Sequence, residues 1–535
     1  MKNNSKKSKR GIHRRDFIKG SAVASLGLTS GLVGIPSALG QLTDPSIGSS
    51  QGSNAIQLEN AKPGTRDWML TKTRTVPGKI NSILYNGRCS SIEGYCSANS
   101  LRVGEKLRIM VSTNPISDFK LEIFRTGYYN GDGARLMKRF DSLKGITQPD
   151  PPVGENHVRE CQWEPSVEFE IPSDWLSGVY LGKLTAEKEN IQSYVIFIVR
   201  DDRPCDFLFQ CSELTWSAYN RWPSNFSIYT KHPGFSGTGV PSGTVSFDRP
   251  YALFTHPVNK HMTSGGSGEF LSWEFPLSFW MEQYGYDVSY ISNIDTHADP
   301  KGLLRARGFI SVGHDEYWSL EMYDNVLKAR DQGVNLAFLS ANSVVCVAPM
   351  FPSENGIPNR ATRREGWFLP IPKKIPKAIK RQMQNQEGFE FNMGPDSAQL
   401  IGARVPEVFN GVGDFTCVKP DHWLFEGTGM KAGDSVKNLI GWEMHANPAM
   451  KLPGMEVVAE GTTNNGREEG VYTSTIYDGP KGNFVFNAST IWWANGLSSP
   501  PGHKNPARFG KIQQGPDDRI QQITHNLFQR MLKKV

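Results

Sequence analysis

The sequence of 535 residues lacks features that whole classes of protein require. Beyond Gly40 it has no apolar run of the roughly 20 residues that a membrane-spanning helix needs. It also lacks a basic excess: of the formal net charge of +6, the first forty residues contribute eight Lys or Arg against one acid, Asp16, so the remaining chain carries −1. Nucleic-acid-binding proteins concentrate positive charge on one face. We therefore expect neither a stable membrane anchor nor a nucleic-acid partner.

The usual signature of covalent catalysis is missing as well. No Ser or Cys occupies a sharp strand-to-helix turn, where a nucleophile elbow would place it, so an acyl-enzyme mechanism is not favoured. The seven cysteines are an odd number, and at least one of them is unpaired. Cys89 and Cys96 flank a Gly-containing loop, and they either form a disulfide in an oxidising compartment or stay reduced.

The first forty residues are predicted to be a twin-arginine signal peptide. Arg14 and Arg15 are followed by Phe17, and a mildly apolar run from Ser21 to Leu39 then leads to a plausible cleavage point near Gly40. Such a signal directs the export of an already folded protein by the twin-arginine machinery. We therefore expect a periplasmic or extracellular protein.

The rest of the chain is predicted to hold two domains after a flexible lead-in, because its length exceeds what one hydrophobic core usually organises. Residues 41–65 are rich in Ser, Gly and Gln and form the lead-in. Residues 66–201 contain short runs of alternating hydrophobicity, such as Phe119–Phe124 and Ser193–Val199, separated by turn residues. That pattern predicts an antiparallel, Ig-like β-sandwich domain.

Residues 202–535 follow a different pattern, in which compact apolar strands alternate with helical segments. The predicted strands are Cys205–Cys211, Tyr286–Ile291, Phe309–Val312, Leu336–Leu339 and Phe484–Phe486. Glu274–Tyr284 and Leu320–Gln332 carry apolar residues at helical spacing. Nearly continuous apolar strands between helices predict an α/β domain with a mostly parallel sheet that is covered on both faces.

Polar residues follow four successive strands of this predicted sheet. They are Tyr219, Tyr229, Asp295, His297, His314, Asp315, Glu316, Tyr317 and Asn342. Ligands bind beyond the carboxyl ends of such strands, so these positions predict a functional site, although strand ends are often polar without any function. His314 and Glu316 place an imidazole beside a carboxylate, a pair that supplies a metal ligand and a proton-transfer group. Alternatively, Asp315 or Ser319 simply caps the next helix.

Four motifs, in chain order, resemble the C-terminal domain of the large subunit of N,N-dimethylformamidase and its relatives. They are Thr215–Asn220, Ser227–Tyr229, Ser311–Ser319 and Leu439–Glu443. The resemblance covers most of Cys205–Leu497, and Ile123–Arg135 is similar to a sandwich domain that precedes it in many relatives. The family implies an amide hydrolase on a glutamine-amidotransferase-like α/β fold.

The resemblance also implies a mononuclear iron held by two tyrosines and one glutamate. Matched position by position, the metal ligands are Tyr219, Tyr229 and Glu316, with Tyr251 as a rival for Tyr229. Hard, anionic oxygen ligands suit ferric iron (Fe3+), which polarises an amide carbonyl and lowers the pKa of a bound water. Otherwise these tyrosines are interior aromatic residues with satisfied hydroxyl groups.

Three further residues take catalytic roles by the same resemblance. Glu443 is expected to be the base for the attacking water, and His314 and Asn342 are expected to hydrogen-bond the substrate or an intermediate. The dimethylformamidase works with a small partner subunit, whereas this chain carries an export signal and an additional sandwich domain. The substrate is therefore left open.

Three functions are compatible with these patterns. The first is an exported, metal-dependent hydrolase of a non-peptide carbon–nitrogen amide bond in a small-molecule or cell-envelope substrate. The second is an exported, non-catalytic binding protein that takes a sugar or protein ligand on a degenerate hydrolase fold. The third, cleavage of carbohydrate by the paired carboxylates Glu316 and Glu443, depends on their separation in space. The sequence leaves open whether the chain forms a homo-oligomer.

Overall fold

The computed structural model describes residues 54–73, 88–223, 226–232, 235–236, 243–252, 265–368, 392–446 and 450–533. The predicted signal peptide, residues 1–40, and the first part of the predicted lead-in lie outside the described residues. All described residues belong to one compact unit, Gly48–Val535. The division into domains of residues 66–201 and 202–535 stays a prediction.

Strands make up much of the described chain. The first eight are β1 Glu93–Cys96, β2 Ser100–Arg102, β3 Lys106–Ser112, β4 Phe119–Thr126, β5 Ala134–Leu143, β6 Pro165–Glu170, β7 Gly178–Ala186 and β8 Ile191–Arg200. The central ones are β9 Cys205–Cys211, β10 Thr230–His232, β11 Phe235–Ser236, β12 Thr244–Ser246, β13 Val288–Ser292, β14 Ala306–His314, β15 Tyr317–Trp318, β16 Asn335–Ala341, β17 Cys346–Val347, β18 Met350–Phe351, β19 Ala361–Arg363, β20 Gly366–Trp367 and β21 Asn392–Met393. The last ones are β22 Val412–Thr416, β23 Ser435–Ile440, β24 Glu456–Asn464, β25 Glu469–Asp478, β26 Phe484–Asn487, β27 Ala507–Arg508 and β28 Lys511–Ile512.

The helices of the described chain are short. They are α1 Ala55–Asn60, α2 Glu213–Tyr219, α3 Phe270–Trp273, α4 Phe275–Gln283, α5 Asn293–Ala298, α6 Leu320–Asp331, α7 Ala398–Ile401 and α8 Asp518–Leu532. Single 3-10 turns lie at Tyr129–Gly131, Glu155–His157, Gly302–Arg305, Trp423–Phe425 and Ala494–Gly496. Across residues 54–533, wherever the chain is described, no helix is long and apolar enough to cross a membrane.

Two sheets form from the first eight strands. One has three strands in the order β1-β3-β6, and the other has five in the order β2-β8-β7-β4-β5. The alternating run at Phe119–Phe124 lies in β4, and its inward residues Leu121 and Ile123 are completely buried. β2 runs parallel to β8, so the larger sheet is mixed and not purely antiparallel as the sequence analysis expected.

The largest sheet has nine strands in the order β13-β9-β14-β16-β26-β25-β24-β22-β23. The five strands from β13 to β26 run parallel to their neighbours. The pairs from β26 to β23 are all antiparallel. One half of the sheet therefore has the predicted parallel arrangement, and the other half does not.

The expectation of a glutamine-amidotransferase-like α/β fold with a mostly parallel sheet is wrong. The protein is mostly β, with 35% strand and 19% helix, and its large sheets are mixed. The cause lies in β24 and β25, which are long, partly exposed and joined by a tight turn around Gly466, with its positive φ of 86°. Antiparallel strands need only such a turn between them, whereas parallel strands need a crossover.

The β4 strand and helix α4 are joined by a buried ion pair. Arg125 Nη2 lies 2.9 Å from Glu282 Oε1, and both side chains are fully buried. Tyr290 and Asn60 also donate hydrogen bonds to the Glu282 carboxylate, at 2.8 Å each. A buried carboxylate that receives this many donors is well compensated for its loss of water.

Candidate active site

Helix α2 and the segment after β14 meet at the end of the parallel half of the sheet. β9 and β14 are adjacent parallel strands, so the residues that follow them emerge at the same edge. The hydroxyl oxygen of Thr215, in α2, accepts the backbone N–H of Glu316 at 3.0 Å and that of Tyr317 at 3.4 Å. These bonds fix the position of Glu316 relative to Tyr219, the last residue of α2.

Three phenol groups and one carboxylate lie together at this edge. Tyr219 donates a hydrogen bond of 2.6 Å to Glu316 Oε2, and its oxygen lies 3.4 Å from that of Tyr229. The rings of Tyr219 and Tyr229 stack at a centroid distance of 5.4 Å. The Tyr229 hydroxyl also hydrogen-bonds the hydroxyl of Tyr317. The site is therefore rich in oxygen donors.

The other oxygen of Glu316 faces a thiol. Cys346 Sγ donates to Glu316 Oε1 at 3.5 Å, because β17 pairs in parallel with β15 and aligns Cys346 with Tyr317. Cys346 is buried, as expected for a packing residue, and burial raises the pKa of its thiol well above the ordinary value. All seven cysteines are free in the structure, Cys89 and Cys96 included.

His314 lies among three carboxylates. Its Nε2 is 3.1 Å from Glu443 Oε2 and 3.4 Å from Glu316 Oε2, and its Nδ1 is 3.7 Å from Glu269 Oε2. Burial lowers the pKa of His314, but the three carboxylates outweigh it and raise that pKa well above its ordinary value. The carboxylates thus favour the protonated form of the imidazole, which stacks on the Tyr219 ring at 5.5 Å.

The charge on His314 also acts on Glu316. Burial raises the pKa of the Glu316 carboxyl, whereas contacts with His314 and Tyr219 and the positive charge of Arg364 lower it, and the net pKa is below the ordinary value. Burial raises the pKa of Tyr219 and Tyr229 strongly. In the absence of a cation, these groups therefore form one ionised carboxylate beside neutral phenols.

Glu443 comes from the antiparallel half of the sheet. The segment after β23 turns back across the sheet end, where Glu443 bridges Asn410 and the backbone N–H of His445 donates to Ser489 Oγ at 3.0 Å. Asn342 Nδ2 donates to Glu443 Oε2 at 2.9 Å. Asn342 has a φ of 49°, a left-handed conformation that Asn tolerates better than most residues.

Asp315, between His314 and Glu316, is hydrogen-bonded by buried side chains of the protein. Its carboxylate accepts hydrogen bonds from Gln210 at 2.7 Å, Ser311 at 2.9 Å and Asn293 at 3.2 Å. Burial raises its pKa to about 6 despite these donors. The cap of helix α6 is Ser319, whose side chain accepts the N–H of Met322 at 3.1 Å. The capping interpretation therefore holds for Ser319 and not for Asp315.

The structure brings together the six residues that the resemblance singled out. They are Tyr219, Tyr229, His314, Glu316, Asn342 and Glu443. Tyr251, the rival for Tyr229, instead contacts Ser217 Oγ at 3.3 Å and packs against Trp216. Two other strand-end residues point elsewhere: Asp295 caps α5 and pairs with Arg200, and His297 contacts Ser319.

The donor set fits a hard cation. Within the described ranges, no group of three or more His, Cys, Asp and Glu side chains is placed to hold a metal. The Tyr219 hydroxyl contacts both the Glu316 carboxylate and the Tyr229 hydroxyl, so two phenols and one carboxylate are linked in sequence. Oxygen donors that become anionic suit a trivalent ion. The assignment of these three residues as ligands stays a prediction.

Sequence reasoning missed several residues around the site. Tyr317 was among the strand-end residues named from the sequence, but no role was assigned to it. Glu269 and Arg364 come from loops without any recognisable pattern. Trp442 lies edge-on to His314 at a centroid distance of 5.5 Å. It precedes Glu443 in the motif Leu439–Glu443, in which only the glutamate was assigned a role.

One comparison with known proteins identifies a family for this chain. The family model described as "N,N-dimethylformamidase beta subunit-like, C-terminal" matches residues 120–507. No protein of curated function matches at a significant level. Among solved structures, an uncharacterized protein from Bacillus anthracis str. Ames is 11% identical, with a TM-score of 0.13 over 19% of this chain and 78% of its own. A family 123 glycoside hydrolase from Clostridium perfringens is 14% identical, with a TM-score of 0.10 over 23% of this chain and 27% of its own. Neither structural likeness carries an argument.

Proposed function

Because this chain belongs to the N,N-dimethylformamidase beta subunit-like family, we propose that it is an exported, metal-dependent hydrolase of non-peptide amide bonds. The observation that carries the proposal is the convergence of Tyr219 and Tyr229 on Glu316, with His314 linking Glu316 to Glu443. A cluster of oxygen donors beside a second carboxylate that holds no metal is what metal-assisted hydrolysis needs.

Tyr219, Tyr229 and Glu316 would hold the ion, and we expect ferric iron. When bound, such an ion supplies Lewis acidity toward an amide carbonyl and toward water. The three side chains have to lose two phenol protons for this role, since the pKa values of both tyrosines lie above 10 in the metal-free site. Metal uptake should therefore release protons.

In this proposal Glu443 would take the proton from the attacking water. Its Oε2 accepts from Asn342 Nδ2 and lies against the imidazole of His314, so the carboxylate is held at one position. The same oxygen would then deliver the proton to the departing nitrogen, as general acid–base catalysis requires. Tyr219 stacks on His314 and keeps the imidazole in place.

His314 and Asn342 would bind the oxygen of the amide. His314 is charged and fully buried, and Asn342 has a second amide hydrogen beyond the one that it gives to Glu443. Preorganised donors of this kind stabilise negative charge on oxygen better than water does. The ring of Trp442 contacts His314 edge-on at a centroid distance of 5.5 Å and is one of the groups among which His314 is buried.

The carbohydrate-cleaving alternative receives less support from the geometry. Paired carboxylates in glycosidases face each other across the substrate. Here Glu316 is hydrogen-bonded by Tyr219 and Cys346, and a charged imidazole stands between it and Glu443. Glu316 is thus occupied by protein donors.

Elemental analysis and an amine-release assay test the proposal. Native protein should contain a stoichiometric transition metal, with iron expected, and should release dimethylamine from N,N-dimethylformamide or a related small amide. Glu316→Ala should lose the metal and the activity, while Glu468→Ala, at an exposed position, should keep both. Native protein that holds no transition metal and hydrolyses no amide would contradict the proposal and favour an exported binding protein.

A further inference from the structure

Four arginine residues are buried in the described part of the chain, and one of them lacks the usual acceptors. Arg125, Arg249 and Arg360 are at most 4% exposed, and Arg364 is 7% exposed. The Nε of each of the first three donates a hydrogen bond, to Ser177, Ser246 and Asp248 respectively. The Nε of Arg364 is buried and has no hydrogen-bond partner in the structure.

Arg249 is a buried arginine with a structural role, and its guanidinium is fully hydrogen-bonded. Its three nitrogens donate to five backbone carbonyl oxygens, at distances from 2.7 to 3.3 Å. Arg364 has no such cage, and within residues 54–533 as described no carboxylate forms an ion pair with it. Because buried charges are normally paired, an unpaired one requires an explanation.

Arg364 lies at the edge of the candidate active site. It connects β19 to β20, and its guanidinium lies over the ring of Trp367 at 4.4 Å. Trp367 is aligned with Cys346 in the neighbouring strand, and Cys346 Sγ contacts Glu316. The positive charge of Arg364 consequently acts on Tyr229, Tyr317 and Glu316.

Neutralising Glu316 does not account for this arginine. Tyr219 and His314 already contact Oε2 of Glu316, and Cys346 contacts its Oε1. Among the described residues, the guanidinium of Arg364 lies over the ring of Trp367, a contact that uses none of its N–H groups. The cation is therefore held in position with donors left over.

We propose that Arg364 binds an anionic group of the substrate, so that the preferred substrates of this site are amides that also carry a carboxylate. This inference rests on the proposed function and specifies its substrate class. A planar guanidinium matches a carboxylate with two parallel hydrogen bonds, which gives both affinity and orientation. With its carboxylate on Arg364, such a molecule would have its amide group on the side of His314 and Asn342.

A second arginine, Arg508, acts electrostatically on Glu443, and within the described structure its Nε is likewise buried without a hydrogen-bond partner. It stands over Phe509 at 4.9 Å and Trp442 at 6.0 Å, and it is electrostatically linked to Glu443 rather than to the tyrosines. Arg508 is partly exposed. It therefore offers a comparison variant for the assignment to Arg364.

Calorimetric binding to the metal-free full-length protein tests the inference without any turnover. The ligands are the mono-N,N-dimethylamides of malonate, succinate and glutarate, each of which keeps one free carboxylate. The affinity for each is compared with that for the corresponding neutral bis-dimethylamide. Native protein should bind at least one acid about 10- to 100-fold more tightly than its counterpart, the usual range for a charge-assisted pair. Arg364→Gln should abolish this preference, and Arg364→Lys should keep part of it. Arg467→Gln, at an exposed site, should leave it unchanged.

Three results would overturn the inference. They are equal binding of acid and diamide by native protein, an undiminished preference in Arg364→Gln, and loss of the preference in Arg508→Gln alone. Thermal melting identifies any variant that is unfolded. If Arg364→Gln is unfolded, the preference for acids measured in Arg364→Lys tests the inference in its place. Metal content and amine release are measured separately: a preference for acids in a protein without metal or hydrolysis refutes the proposed function and leaves this inference standing.

Discussion

Tyr219 and Glu316, which are 97 residues apart in the chain, share a hydrogen bond of 2.6 Å between phenol and carboxylate. This bond joins the end of helix α2 to the segment after β14, the two elements that carry most of the site. A phenol that already donates to a carboxylate is positioned to exchange its proton for a cation.

Tyr219→Phe removes one donor oxygen and keeps the ring. We expect the affinity for the metal to fall by more than about 10-fold, the range found when even an outer partner of a metal site is lost. Metal content after dialysis and the amine-release assay measure the effect. Tyr284→Phe, which changes a tyrosine at helix α4 with a 3.5 Å contact to Gln521, is the matched control. Full metal retention by Tyr219→Phe would argue against this ligand.

Glu443→Gln should separate catalysis from metal binding. The substitution keeps the shape of the side chain and its contact with Asn342 but removes the base, so kcat should fall by about 10²- to 10⁴-fold while metal content stays native. A parallel Glu468→Gln variant should keep the native kcat. A Glu443→Gln enzyme with unchanged kcat would assign the base to another residue.

Arg125→Met should destabilise the protein strongly, because it leaves the Glu282 carboxylate buried without its cation. Loss of one partner of a buried pair costs about 3–5 kcal/mol. Glu168→Ala removes an exposed partner of Lys106 and Arg108 and should leave the stability nearly unchanged, because solvent screens such surface pairs. Denaturant unfolding of the two variants measures the contrast, and equal effects would contradict the role of the buried pair.

Stability should fall as the pH drops from about 6.5 to about 4, through the buried imidazole of His445. Burial lowers the pKa of His445 from 6.5 to about 4, while its ring accepts from Ser343 N–H at 3.1 Å. The unfolded chain binds a proton in that interval and the folded protein does not, so the free energy of unfolding decreases there by about 3 kcal/mol. His445→Asn should flatten the pH dependence, whereas His157→Asn, outside the core, should not.

Arg14→Lys with Arg15→Lys should leave the protein in the cytoplasm, since a twin-arginine signal depends on the arginine pair. Immunoblots of cytoplasmic and exported fractions measure the distribution. Substitution of Lys6 and Lys7 by Arg is the control, because it preserves the charge in front of the motif. Normal export of the double-lysine variant would refute the predicted signal.

The sequence allowed the parallel half of the main sheet to be predicted well. The bounds of β9, Cys205–Cys211, were predicted without error, and β14 and β16 contain the predicted apolar runs. Strands that are buried on both faces carry continuous apolar sequences, which makes them recognisable. The residues near their carboxyl ends, among them Tyr219 and His314, therefore lie at the edge of the sheet where the sequence predicted them.

The antiparallel half was not foreseen, and neither was Arg364. Partner choice of β22–β25 depends on contacts between distant segments, which no local pattern encodes. Glu443 was identified by resemblance alone, because its approach to His314 depends on how the segment after β23 turns back. Arg364 has ordinary sequence neighbours, and only the structure reveals that its buried Nε lacks an acceptor.

During synthesis on the ribosome, Tyr219, Tyr229 and Glu316 emerge long before Glu443. Strand β26 occupies the middle of the nine-stranded sheet, between β16 and β25, although it is made after every other strand of that sheet. The two halves consequently cannot be joined until residue 487 has left the exit tunnel. The carboxylate of Glu443 can therefore reach its place beside His314 within a complete nine-stranded sheet only after nearly the whole chain has been synthesised.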